Sequence, residues 1–305
     1  MALSRSLTGI LLKVASVLVF IIMAALIKAT SAHVPAGQAV FFRSLFAIPV
    51  IFAWLALTHE LKGGIRTQNI PGHFFRGFLG TCAMGLGFAG LGYLPLPEVT
   101  AIGYAAPLLV VILAAMFLGE EVRLFRYAMV ALGLTGVLIV LGPRLTVTEA
   151  SGTKEAFGAM VVLMSATCAA LAQVFVRKLT LTESTSAIVF WFSASSTLLS
   201  LITIPFGWVW PAPWEAALLV TCGILGGVGQ LLLTASVRYG DASLIAPFEY
   251  SSMIFSLAIG WAFFDEIPTL TMLMGAGLVV LAGVLIIWRE HRLGLRRDGA
   301  IPPQG

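Results

Sequence analysis

Leu134-Thr-Gly-Val-Leu-Ile-Val140 returns 147 residues later as Leu281-Ala-Gly-Val-Leu-Ile-Ile287. At an offset of 146, Gly77 and Gly80 match Gly223 and Gly226, Tyr93 matches Tyr239, Tyr104 matches Tyr250, and Glu120 matches Glu266. Leucine and glycine are common in this chain, so any one match means little. Agreement on one offset over widely separated positions points to a duplication. The division that follows is a first repeat over 1–146, a second over 147–290 and a polar, disordered cytoplasmic tail over 291–305.

The repeated material is apolar. Of 305 residues, 59% are hydrophobic and 10% charged, and the mean hydropathy is +1.00. A soluble domain carries roughly 25% charged residues, enough to cover a surface that faces water. A chain with so few must face lipid. A spanning helix needs about 20 mostly apolar residues. Ten segments qualify: Leu7–Ala29, Ala36–Leu57, Phe74–Tyr93, Pro97–Leu118, Phe125–Leu141, Phe157–Val176, Thr185–Phe206, Trp214–Val237, Ala242–Phe264 and Leu270–Trp288. The fold class is an all-α membrane protein with ten transmembrane helices. Five helices per half is an odd number, so the two five-helix repeats are inverted. No small-residue cleavage site follows the first run, which reads as a retained helix and not as a cleaved signal.

Charge sets the expected orientation. With the N-terminus in the cytoplasm, 12 of the 18 Lys and Arg fall on that side. Lys28, Arg144 and Lys154 fall outside, and Lys13, Arg43 and Arg76 lie within helices. This positive-inside bias puts both termini in the cytoplasm of a multi-pass inner (plasma) membrane protein. The loops agree with inversion: Glu120-Glu-Val-Arg-Leu-Phe-Arg126 is basic, whereas its counterpart Asp265-Glu-Ile-Pro-Thr-Leu-Thr271 has no positive charge. The net charge of +4 does not imply a nucleic-acid partner, because the basic residues sit at the ends of apolar runs and form no patch. Cys82, Cys168 and Cys222 lie inside apolar runs with no CxxC spacing and read as small buried hydrophobes.

Inverted repeats recur in secondary transporters, with the substrate near the midplane between the halves. Each half here has a proline-containing fourth helix followed by an acidic turn: Ala106-Pro107 through Phe117-Leu-Gly-Glu120, and Ala246-Pro-Phe-Glu-Tyr250 through Phe263-Phe-Asp-Glu266. In these features the chain resembles the EamA type of the drug/metabolite transporter superfamily, over roughly residues 8–288. Members export amino acids and other small metabolites, and in size and layout the chain is similar to an aromatic amino acid exporter. The resemblance implies a secondary transporter that exports small metabolites, most of all amino acids including aromatic ones, by alternating access. A channel or passive membrane scaffold is the alternative. An intramembrane enzyme would need converging nucleophile, base or metal ligands. His33, His59, His73 and His291 are scattered at helix ends, so no catalytic residue, metal or cofactor is expected. The partners implied are a small-molecule substrate and membrane lipid; no oligomeric state is implied.

Ionisable and amphipathic residues inside spans are the candidate site. An ionised group at the centre of a span costs roughly 2.5–3.5 kcal/mol on insertion scales, so it faces a cavity or a partner. Glu249 and Arg43 each lie about 10 Å inside the membrane, from opposite faces. In a core about 30 Å thick a zwitterion could lie between them, its carboxylate toward Arg43 and its amine toward Glu249. Tyr104, Tyr250 and Trp191 would supply aromatic walls. Pro107 and Pro247 each remove a backbone donor and are candidate gating points. Gln173 and Gln230 are further mid-helix polar groups. Glu98, Glu120 and Glu266 read as helix-terminal charges, and Lys28 and Arg76 as side chains that snorkel to the interface.

Overall fold

The computed structural model describes residues 5–59, 63–118, 124–145, 150–179, 182–239 and 245–298. The first half comprises α1 (Arg5–Thr30), α2 (Ala36–Leu57), α3 (Ile70–Leu91), α4 (Leu96–Gly103), α5 (Ala105–Leu118) and α6 (Leu124–Leu145). The second comprises α7 (Ala150–Leu179), α8 (Thr185–Ser200) with a 3-10 turn at Leu201–Phe206, α9 (Pro213–Tyr239), a 3-10 turn at Ala246–Tyr250, α10 (Ser251–Phe264) and α11 (Leu270–Asp298). Among the described residues nine helices are long and apolar enough to cross a membrane. The remaining crossing is shared between the turn at Ala246–Tyr250 and α10. The fold is therefore the expected all-α, multi-span one. Glu120, Lys62, Arg123 and the expected boundary between the halves lie outside the described residues.

The packing repeats with the sequence. α1 packs along α9, and the equivalent pair in the other half is α3 along α7. Likewise α2 packs on α9 as α8 packs on α3, while α6 meets α11 and α2 meets α8 across the pseudo-twofold. Each half thus buries its helices largely against the other. The seam between α6 and α11 is close enough that a Cβ on Gly136 would stand 2.6 Å from the Gly275 carbonyl, and one on Gly275 would stand 2.6 Å from the Gly136 carbonyl. Only hydrogen side chains allow that approach, which gives backbone contact where lipid offers no hydrophobic drive to association.

Two expectations need correction. α11 runs to Asp298, past residue 290 and into the stretch expected to be disordered. Arg, Glu and Leu predominate there and proline does not occur before Pro302, so propensity carries the helix beyond the membrane. Lys28 does not snorkel. Its ammonium donates to the carbonyls of Leu91 (3.1 Å) and Leu94 (2.7 Å) and pairs with Glu266 Oε1 at 2.9 Å. Glu266 accepts through its other oxygen from Leu96 N–H at 2.8 Å, so it caps α4 and not the start of its own helix. One ion pair thereby joins the end of α1, the α3–α4 turn and the loop before α11. Both side chains are largely buried, and removal of one partner strands the other charge. Lys28→Met is expected to lower unfolding stability by about 3–5 kcal/mol, read from thermal unfolding in detergent; a variant as stable as the parent would show that the pair contributes nothing.

Candidate functional site

The two spans that break do so at equivalent points. Pro107 has no N–H to give the Gly103 carbonyl, and its ring would collide with that carbonyl in a continuous helix. α4 accordingly stops at Gly103, Tyr104 forms a turn, and α5 starts at Ala105. In the other half Ala246-Pro247 opens the 3-10 turn, which ends at Tyr250. Neither proline lies mid-helix, as the sequence suggested; each flanks its break, in a first turn where no hydrogen bond is lost.

The tyrosines at the breaks touch. Their ring centroids are 5.1 Å apart and the planes meet at 68°, an edge-to-face contact. Tyr104 is buried, and its hydroxyl lies 2.5 Å from Ser252 Oγ and donates to the Tyr250 carbonyl at 3.3 Å. Tyr250 lines a cavity of about 220 Å³ with Pro107, Arg126, Gln173, Ala246 and Gly283, so both halves contribute to its wall. A methyl on Gly283 would overlap the Tyr250 hydroxyl, and that glycine is what admits the ring.

Beside Tyr250, Glu249 forms an ion pair with Lys13 of α1. Lys13 is buried, while the Glu249 carboxylate is about half exposed (52%) and so faces open space. Sequence reasoning missed this pair. Both residues lie about two turns in from the same face, so matched depth was the signal that could have found it.

Arg43 and Trp191 are not brought to the tyrosines. Trp191 gives its indole N–H to the Ile65 carbonyl at 3.0 Å and lies 6.2 Å from the His73 ring. Arg43 is buried between α2, α8 and α9, with its guanidinium carbon 5.6 Å from the Phe192 ring centroid. Arg76, expected to snorkel, turns inward onto the same ring at 3.6 Å. Phe192 offers a π face to the guanidinium, an attraction that water at the interface would weaken. Close by, His73 Nε2 faces Glu183 Oε2 at 3.6 Å. Glu183 sits in the α7–α8 connection. Burial pushes its carboxyl upward, but hydrogen bonds from Gln68 N–H, Thr67 hydroxyl and Asn69 N–H outweigh that and hold it below the ordinary carboxylate range.

A bundle of this kind, with inverted repeats, two broken spans and a cavity shared by both halves, defines a multi-pass membrane transporter. The chain belongs to the EamA-like transporter family, whose pattern matches it twice, over residues 7–142 and 156–288. It is 31% identical over 283 residues to the pseudopaline exporter CntI of Pseudomonas aeruginosa, covering 92% of this chain and 95% of that protein. It is 25% identical over 257 residues to an S-adenosylmethionine uptake transporter of Rickettsia felis, covering 84% and 83%. It is 27% identical over 259 residues to a riboflavin transporter of Rhizobium johnstonii, covering 85% and 83%. A solved structure with 22% identity superposes with a TM-score of 0.67 over 95% of this chain and 99% of its own, which shows the shared fold. The protein is thus an inner-membrane transporter of small molecules and not an enzyme.

The tyrosine contact makes a steric prediction. Gly283→Ala is expected to displace the rigid Tyr250 ring and destabilise the protein by about 1–3 kcal/mol, and Tyr250→Phe in the same background should recover part of the loss by removing the overlapping hydroxyl. Equal melting temperatures for the parent and Gly283→Ala would show that the ring is not held there.

Proposed function

We propose that this chain is a secondary transporter that exports small zwitterionic metabolites, amino acids with aromatic or apolar side chains among them, by alternating access. The observation that carries the reading is the Lys13–Glu249 pair. It joins the first helix of one half to the broken span of the other, with its carboxylate toward open space. A zwitterion carries the same two charges. Its amine can replace the Lys13 ammonium on Glu249 while its carboxylate takes up Lys13, so the buried lysine is never left unpaired. Lys13 then has the role that sequence reasoning gave to Arg43. Tyr104 and Tyr250 supply an apolar and aromatic wall, and Pro107 and Pro247 mark the points about which the half-helices reorient.

Export, and not uptake, agrees with the 31% identity to the pseudopaline exporter, although the relatives at 25–27% include an uptake transporter. The chain ends share one face of the bundle, and this reading puts that face in the cytoplasm. A reporter active only in the periplasm should stay silent when fused after Gly305; a strong signal would reverse the orientation.

The substrate reading is tested with purified protein in proteoliposomes. Counterflow of labelled L-phenylalanine or L-leucine is expected without nucleotide, and bulk ion current in its place would indicate a channel. Lys13→Gln combined with Glu249→Gln removes both charges and strands neither. Counterflow by that double variant should fall about tenfold or more, the worth of one or two charge-assisted hydrogen bonds. A double variant that exchanges at the parental rate would reduce the pair to a structural contact.

A further inference from the structure

We infer that the buried guanidiniums of Arg43 and Arg76 form a binding site for one small monoanion, apart from the cavity at Tyr250. Both arginines approach the Phe192 ring, at 5.6 and 3.6 Å. Arg43 is 3% exposed. Among the described residues, the Nε and Nη1 of each arginine are buried without a hydrogen-bond partner. No carboxylate among them lies within ion-pair distance of either guanidinium. Glu183, on the far side of His73, already accepts from Thr67, Gln68 and Asn69.

Two like charges beside one another inside a membrane are costly, and an aromatic face offsets only part of that cost. Four aimed and unanswered N–H donors demand acceptors. Guanidinium forks match a compact anion such as a carboxylate or a halide.

The glycines around them support a site and not accidental burial. Gly80 and Gly226 occupy the same repeat position, and each borders one guanidinium. A Cβ on Gly80 would stand 2.6 Å from Arg76 Nη1, and one on Gly226 would stand 2.9 Å from Arg43 Nε. A side chain at either position would crowd the donors. The anion's charge, in turn, would relieve the repulsion between α2 and α3 at their arginines.

Such a monoanion has two sources, a free halide or the carboxylate of an organic solute, and the test separates them. The thermal stability of the full chain in nanodiscs is titrated at constant ionic strength with chloride, acetate or the neutral isostere acetamide, the balance being a bulky sulfonate. Saturable stabilisation is expected with chloride, acetate or both, and none with acetamide. Chloride alone identifies a free-halide site; acetate alone identifies a carboxylate site. Arg43→Lys keeps the charge but loses the fork and should weaken the apparent Kd about tenfold or more. Gly226→Ala, which retains both arginines, should also weaken it. The assignment is overturned if melting temperatures are the same in every anion, or if both variants respond as the parent does. The readout is binding without transport, so the outcome is independent of whether amino acids are the substrate.

Discussion

Lipid offers no hydrogen bonds, so a span can be interrupted only where protein answers the backbone groups that the interruption frees. That constraint shapes the centre of this molecule. The breaks at Tyr104 and at the Ala246–Tyr250 turn would each leave carbonyls without helical partners. Side chains supply the missing donors: Ser251 Oγ donates to the Phe248 carbonyl at 2.7 Å, Ser252 Oγ to the Glu249 carbonyl at 2.7 Å, and the Tyr104 hydroxyl to the Tyr250 carbonyl at 3.3 Å. The last of these crosses between halves. Each break is thus tolerated because the other lies against it, and the paired tyrosines follow from that need as much as from any ligand.

Charge is distributed unequally between the two faces. On the face away from the chain ends, Lys28 pairs with Glu266, Arg144 holds Glu98 through two nitrogens and also pairs with Glu155, and His33 Nδ1 meets Glu215 at 2.9 Å. These contacts tie α1 to the loop before α11, α4 to α6 and α7, and the α1–α2 connection to α9. Toward the other face the corresponding tie within the spans is Lys13–Glu249. If the halves rock, the Lys28–Glu266 and Arg144–Glu155 contacts between them must loosen. A substrate can drive that only by its difference in affinity for the two states. Binding in the millimolar to micromolar range amounts to about 4–8 kcal/mol in all, so an unopposed loss of two such pairs would exhaust it. The return of those charged groups to interfacial water as they part is what keeps the barrier surmountable.

Much of the architecture was legible because it depends on length and composition. Ten apolar runs, the single repeat offset and the two prolines near equivalent tyrosines together specify the bundle and locate its breaks. The lateral partners were not legible. A span that is apolar on all sides gives no face to read, so Arg76 could equally have turned to lipid headgroups or inward onto Phe192, and Trp191 could have faced the centre instead of the Ile65 carbonyl. Depth was the one coordinate that sequence supplied. It would have paired Lys13 with Glu249, since both stand about two turns from the same face; Arg43, a turn or more deeper, was the weaker choice.

The duplication also separates scaffold from chemistry. Positions that serve packing are repeated: Gly77 and Gly80 against Gly223 and Gly226, Phe46 against Phe192, Tyr104 against Tyr250. Positions that carry charge inside the spans are not. At the offset of 146, Lys13 stands opposite Ala159, Glu249 opposite Gly103, Arg43 opposite Val189 and Arg76 opposite Cys222. A duplicated charge would double the cost of placing ions in the membrane and would build a site with twofold symmetry. Few small metabolites have that symmetry. Keeping the helix contacts in pairs while placing each charge once gives both halves the same capacity to move and gives the interior a definite polarity, cationic between α2 and α3 and zwitterionic between α1 and the broken span.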